Sequence, residues 1–373
     1  TMANWNPSTG VPAAGDKAII PSGVTNKPSI STAVTVGTIE IQSSGELTVA
    51  ASGSLSVDTL ECNGTFKTSS DSTVNVKYSG SGTFNAAASN KTVTFKKDAD
   101  FSNTTLSGSR FSAVFDGTSA TSLKIPSTGM AFDKLEVKNT VTSFTAEAPS
   151  PTAILSAATL DINSSGPSAI NVPVKATTHI KHMGNGVLTL KKIEAGTMLF
   201  DDTSSTGANI EDASEIATVK HSGSGNLTFK GALKVTTKFE QTGTGGTTAK
   251  ETSEIQEIAQ SSGTLTFEKT LTGTDKFDAS GGSTVTVKGM ATIKELKHSG
   301  VGSLTFEKSL TVSDTFEDSS SAGATIKDTA NIKTVKHSGA GALAFQKMLT
   351  VTEEFDNTSA TGAETVGEEA TIK

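Results

Sequence analysis

The chain of 373 residues holds one cysteine, one tryptophan, one tyrosine and one arginine. Each scarcity excludes something. Cys62 alone closes no internal disulfide. Cys62-Asn63-Gly64 has no basic or histidine neighbour to activate a thiolate, so Cys62 reads as a small, half-buried residue. With Arg110 the only guanidinium and a formal net charge of −7, no basic stripe exists for a nucleic-acid backbone. No run of about 18 apolar residues occurs, so no segment inserts into a membrane as a helix. Leu, Ala, Glu and Lys do not dominate, which disfavours a coiled coil. The opening Thr1-Met2-Ala3-Asn4-Trp5 lacks a charged and then apolar leader, so the start reads as a mature or trimmed end.

Gly, Ser, Thr and Phe are plentiful, and they recur. Segments opening at His221, His298 and His337 read HSGSGNLTFKG, HSGVGSLTFEK and HSGAGALAFQK. His182 opens a looser copy, and QSSGTLTFEK begins at Gln260. Leu188, Leu227, Leu265, Leu304 and Leu343 are spaced 39, 38, 39 and 39, as are Phe200, Phe239, Phe277, Phe316 and Phe355. The unit is itself double. Anchors Ile180, Phe200, Val219, Phe239, Ile258, Phe277, Leu296, Phe316, Val335 and Phe355 step by 19 or 20. Most anchors are followed at +8 and +10 by apolar residues around a threonine, as in Leu227-Thr228-Phe229 and Val285-Thr286-Val287. That alternation is strand.

Short strands at this spacing fit a sandwich or a solenoid. A side chain held at a fixed offset for ten cycles decides for the solenoid, whose coils stack about 4.8 Å apart. The expected fold is all-β: a right-handed parallel β-helix of about 19–20 residues per coil, with the hand set by the crossover preference. The expected organisation is an N-terminal cap over 1–30, irregular coils over 31–175, and five 39-residue repeats over 176–373. Ala370-Thr371-Ile372-Lys373 repeats the opening of the preceding unit, so the repeats are expected to continue beyond the chain end. Ala146-Glu147-Ala148-Pro149-Ser150-Pro151 is the expected protruding loop or break.

The doubling has a packing reason. Coils anchored by Phe200, Phe239, Phe277, Phe316 and Phe355 carry their ring at the anchor; the intervening coils carry it in the strand, at Phe229, Phe267, Phe306 and Phe345. One ring per coil at alternating places keeps a narrow core evenly filled.

The opening also resembles a known group. Asn4-Trp5-Asn6-Pro7, Gly15-Asp16-Lys17-Ala18-Ile19-Ile20-Pro21-Ser22-Gly23, Ile39-Glu40-Ile41 and Gly45-Glu46-Leu47-Thr48-Val49 are similar to the start of secreted bacterial β-helix proteins. The resemblance covers about the first 60 residues. It implies a secreted or surface-exposed protein, adhesin or repeat stalk, and it carries no catalytic motif.

Four of the five histidines share one repeat position. The full row is His182, Asp202, His221, Gln241, Gln260, Ala279, His298, Asp318, His337 and Asn357. Successive histidines of a pair lie two coils apart, about 9.6 Å, whereas metal bonds are near 2 Å. The row therefore reads as a stacked structural ladder at the turn, not a metal array. Asn357 within it predicts that His298→Asn is tolerated.

A glycan-binding or glycan-cleaving β-helix is the main alternative. Glycosidases need two carboxylates about 5 to 9.5 Å apart. Asp201-Asp202 and Glu353-Glu354 are adjacent pairs that read as solvated surface. Polyuronate lyases of this fold use an arginine or lysine base beside calcium-binding acids, and Arg110 has no acids nearby in sequence. An enzyme is expected to show converging non-repeating acids and bases, within 60–175. No Ser-His-Asp motif, P-loop, zinc spacing or calcium nonapeptide appears. Outward Thr228, Thr266 and Thr305 raise ice binding as a minor alternative. The expectation is a non-enzymatic, extracellular or surface-located bacterial rod, stalk or adhesin segment. No catalytic, cofactor or metal site is expected. The expected partners are a host protein, a glycan, or copies of itself end to end, with no nucleic acid and no membrane insertion.

Overall fold

The computed structural model describes residues 12–86, 91–138, 140–357 and 361–373. Every regular element among them is a strand. All the strand pairings that position the residues discussed below are parallel, and each joins one coil to the next. The chain is a β-solenoid built as two compact units. The first ends at Lys175 and takes in Gly184–Gly186; the second comprises Ala176–Met183 and Val187–Lys373.

In the first unit, strand Lys17–Ile20 pairs with Ala33–Ile41, and that strand pairs with Ser54–Cys62. Ile20, Ile41 and Cys62 stack in one inward column. Cys62 is fully buried, not half-buried, because it occupies a core position of that column. Residues 1–11 of the expected cap lie outside the described residues, and Lys17–Ile20 already forms a coil strand. A separate sheet runs beside these strands. Its order is Ser29–Ile30, Glu46–Val49, Thr65–Thr68, Thr83–Ala86 and Thr105–Gly108. Ala146 and Glu147 of the expected loop end strand Phe144–Glu147, and the chain bends only at 149–152 before strand Leu155–Ile162. This bend makes one coil longer without losing register, since Leu155 pairs with Met130.

The second unit is more regular. Phe200 pairs with Val219, Val219 with Phe239, Phe239 with Ile258 and Ile258 with Phe277. A second column alternates in the opposite phase: Ile210, Phe229, Ala249, Phe267, Val287, Phe306, Ile326 and Phe345. Phe200, Phe229, Phe239, Phe267, Phe277, Phe306, Phe316 and Phe345 are buried. Phe355 is an exception and is only half-buried. It packs on Val335, but the next strand, Ala370–Ile372, pairs only with Leu349, Thr350 and Val351, so no described strand covers the ring.

Outward residues between the core positions pair across coils. Lys230 reaches Glu211 at 2.8 Å, Lys327 reaches Glu307 at 3.4 Å, and Lys297 reaches Glu317 at 3.6 Å. Each exposed pair contributes at most about 1 kcal/mol. The core columns carry the stability.

Candidate functional site: a buried polar row and an open groove

Strand alternation builds the row. In Val219-Lys220-His221 the anchor is buried, the next residue half-exposed and the third buried again. The +2 residue therefore points inward, just before the chain turns. His182, Asp202, His221, Gln241, Gln260, Ala279, His298, Asp318 and His337 stand opposite one another in that order. All nine are buried. Asn357 does not join them: it follows the end of strand Leu349–Asp356 and is exposed. The row gives no precedent for asparagine in a buried place, so the tolerance expected of His298→Asn loses its basis.

Buried polar groups must find partners within the fold. His182 Nδ1 lies 3.0 Å from Asp202 Oδ1, which also accepts the Ser204 N–H at 3.2 Å. Asp202 Oδ2 faces His221 Nε2 on the next coil at 3.7 Å. On its other side, His221 Nδ1 is 2.9 Å from both Gln241 Oε1 and Thr247 Oγ1. Gln241 Nε2 donates to the carbonyls of Gly243 and Gly245, and Thr247 donates to Gln241 Oε1 at 2.6 Å. Both atoms facing Nδ1 are thereby committed as acceptors, which assigns a proton to His221 Nδ1. Gln260 Nε2 caps its own turn at the carbonyls of Ser262 and Gly263.

The motif returns further along. His298 donates Nε2–H to the Gly302 carbonyl at 2.8 Å, and its Nδ1 lies 3.0 Å from Asp318 Oδ1. Asp318 Oδ1 accepts the Ser320 N–H at 3.1 Å, while Oδ2 faces His337 Nε2 at 3.8 Å. His337 Nε2 lies 3.0 Å from Gly341 O, and Nδ1 lies 2.6 Å from Glu364 Oε1. Burial pushes the Asp318 carboxyl up, but the hydrogen bonds at His298 and Ser320 outweigh it and hold the group below its ordinary range. Asp202 and Asp318 share one turn, Asp-x-Ser-x-x-Gly. The serine hydroxyl accepts the glycine N–H, at 2.8 Å for Gly207 and 2.9 Å for Gly323, and both glycines have φ near +84°.

Histidine beside a carboxylate is the raw material of a general base. Here the histidines and aspartates of the row are buried inside the stack. Among the described residues, no three His, Cys, Asp or Glu side chains converge as a metal-ligand set. The adjacent acids diverge: Asp202 is buried while Asp201 is on the outer face. Glu353 and Glu354 are both exposed, and Glu353 pairs with Lys333 at 3.4 Å. Burial pushes the Cys62 thiol up to about 11, which removes it as a nucleophile at neutral pH.

A groove of about 490 Å³ does lie within 60–175, and Arg110 is the only charged residue among its described lining residues. Acids and bases do not converge there. The outward threonines form a longer row than Thr228, Thr266 and Thr305 alone. Thr228, Thr248, Thr266, Thr286, Thr305 and Thr325 stand in register on six consecutive coils, all half-exposed. No known protein-family pattern, characterised protein or solved structure matches this chain.

Proposed function

We propose that the protein is a non-enzymatic structural or adhesive β-solenoid of the bacterial cell surface, a rod, stalk or adhesin segment. One observation carries the reading. The histidines and acids that recur in the repeat face one another between coils, inside the stack, where they tie coils together rather than meet a ligand. The outer lysines and acids likewise pair from coil to coil. The resemblance of the first 60 residues to secreted β-helix proteins supports an extracellular location. The partners of this reading are host proteins, glycans, or further copies of the chain end to end.

The test is an array of matrix proteins and glycans probed with the purified chain, run beside turnover assays on the same polysaccharides. The expected result is saturable adhesion without cleavage. Release of shortened or unsaturated oligosaccharides would establish the enzymatic alternative instead.

A second reading rests on the six stacked threonines. Methyl and hydroxyl groups repeating about every 4.8 Å form a regular array that can order water. Thermal hysteresis measured on the intact chain, and its loss in Thr266→Lys, would support ice binding; freezing without hysteresis dismisses it.

A further inference from the structure

The five-stranded sheet of the first unit stops at Thr105–Gly108, and among the described residues this strand is paired on one side only. Thr105 and Ser109 donate back to the preceding coil, to Gly82 O at 2.9 Å and Ala86 O at 2.8 Å. Backbone groups alternate sides along a strand. Leu106 therefore turns both its N–H and its C=O toward the free edge. The inward column beneath is also unfinished. Leu47, Phe66 and Phe84 stack in register and are buried. Leu106 is the next member, paired with Phe84, and it is half-exposed.

The groove of about 490 Å³ opens along this edge, with Phe111 and Met130 in its floor. The one charged residue among its described lining residues, Arg110, stands exposed just past the C-terminal end of the strand. An open edge is a template for another strand. Unlike the rows of the repeat, this guanidinium has no counterpart on neighbouring coils.

We propose that this groove binds an extended peptide, added in parallel as the sixth strand of the sheet. Its backbone pairs with Leu106. An apolar side chain in register with Leu106 covers Leu106 at the open end of the column, and a small residue fits over Gly108. A carboxylate at the C-terminal end of the peptide, from its last residue or from an acidic side chain, meets Arg110. About four residues span the strand, roughly 13 Å at 3.3 Å each. The site does not depend on whether the solenoid serves as a stalk.

The probe is a dye-labelled pentapeptide of alternating threonine and valine ending in a free carboxylate, titrated by fluorescence anisotropy against the whole chain. Saturable binding is expected. Capping the carboxylate as an amide, or Arg110→Glu in the exposed position, weakens it about tenfold or more, as loss of a charge-assisted bond requires. N-methylation of alternate peptide nitrogens gives two isomers, only one of which removes donors facing the edge. That isomer loses binding and the other keeps it. The proposal is overturned if the folded chain binds no such peptide, if both N-methylated isomers bind alike, or if Arg110→Glu changes nothing. Circular dichroism of Arg110→Glu confirms that a lost signal is not lost folding.

Discussion

Nδ1 of His298 lies 3.0 Å from Oδ1 of Asp318, one coil further along the same buried row. The carboxylate also holds its own turn through the Ser320 N–H and faces His337 from the other side. One side chain thus serves three coils. Asp318→Ala leaves the buried Ser320 N–H without its acceptor and the His298 imidazole without the carboxylate beside it. The expected loss is about 3–5 kcal/mol, the range for breaking a buried, charge-assisted pair. Urea unfolding followed by circular dichroism measures it, and a loss under about 1 kcal/mol would show that the contact behaves like a surface pair.

Asp318 also sets an acid limit. Its carboxyl is held below the ordinary range in the folded chain, chiefly by the bonds at His298 and Ser320 acting against burial. The stability it supplies is complete above the ordinary aspartate value, near 3.9, and disappears as pH falls through the lower folded value. Glu46 adds in the same direction through its bonds with Lys27 and Lys67, both at 2.6 Å. From these two carboxylates, urea midpoints are expected to fall as pH drops below about 4. Asp318→Asn should flatten that fall. A variant with the same acid profile as the parent would remove Asp318 from the explanation.

The coil period, the strand positions and the alternation of rings were legible because each obeys a local rule. Leu227-Thr228-Phe229 alternates with period two, and its anchor Val219 recurs every 19 or 20 residues. The burial of His221 was legible by the same alternation, two residues past Val219, but polarity alone assigns a histidine to the surface. What overrides that default is the neighbouring coil, where Asp202 and Gln241 supply partners that no single coil has. Phe355 and Asn357 obey the local pattern and still depart from it, since no described strand continues the stack over them. The free edge at Leu106 had no signal at all, because its coil reads like the four before it.

Phe306 tests the packing of the alternating column. It stacks between Val287 and Ile326 and is fully buried. Phe306→Ala empties a ring-sized volume between two aliphatic neighbours, and about 3–5 kcal/mol should be lost. The converse change, Val287→Phe, puts three rings in succession with Phe267 and Phe306. Overpacking should cost about 1–3 kcal/mol. If Val287→Phe proves neutral in urea unfolding, alternation is not what the narrow core requires.

Two glycines in adjacent turns separate backbone sterics from chain entropy. Replacing glycine with alanine restricts the unfolded chain and by itself stabilises by about 0.4–1 kcal/mol. At Gly282 that benefit should stand, because an added Cβ would meet only the Val301 side chain, at 3.4 Å. At Gly300 the same Cβ would lie 1.9 Å from the carbonyl oxygen of Gly281, one coil below. That atom belongs to the backbone of a stacked turn and cannot swing aside as a side chain can. Relief requires the two turns to separate against the coil spacing, and overpacking of this kind costs about 1–3 kcal/mol or more. Sterics therefore win at Gly300 and entropy at Gly282. Gly300→Ala should unfold at lower urea than the parent and Gly282→Ala at equal or higher urea. Equal midpoints for the two variants would mean that the turns are not stacked backbone on backbone.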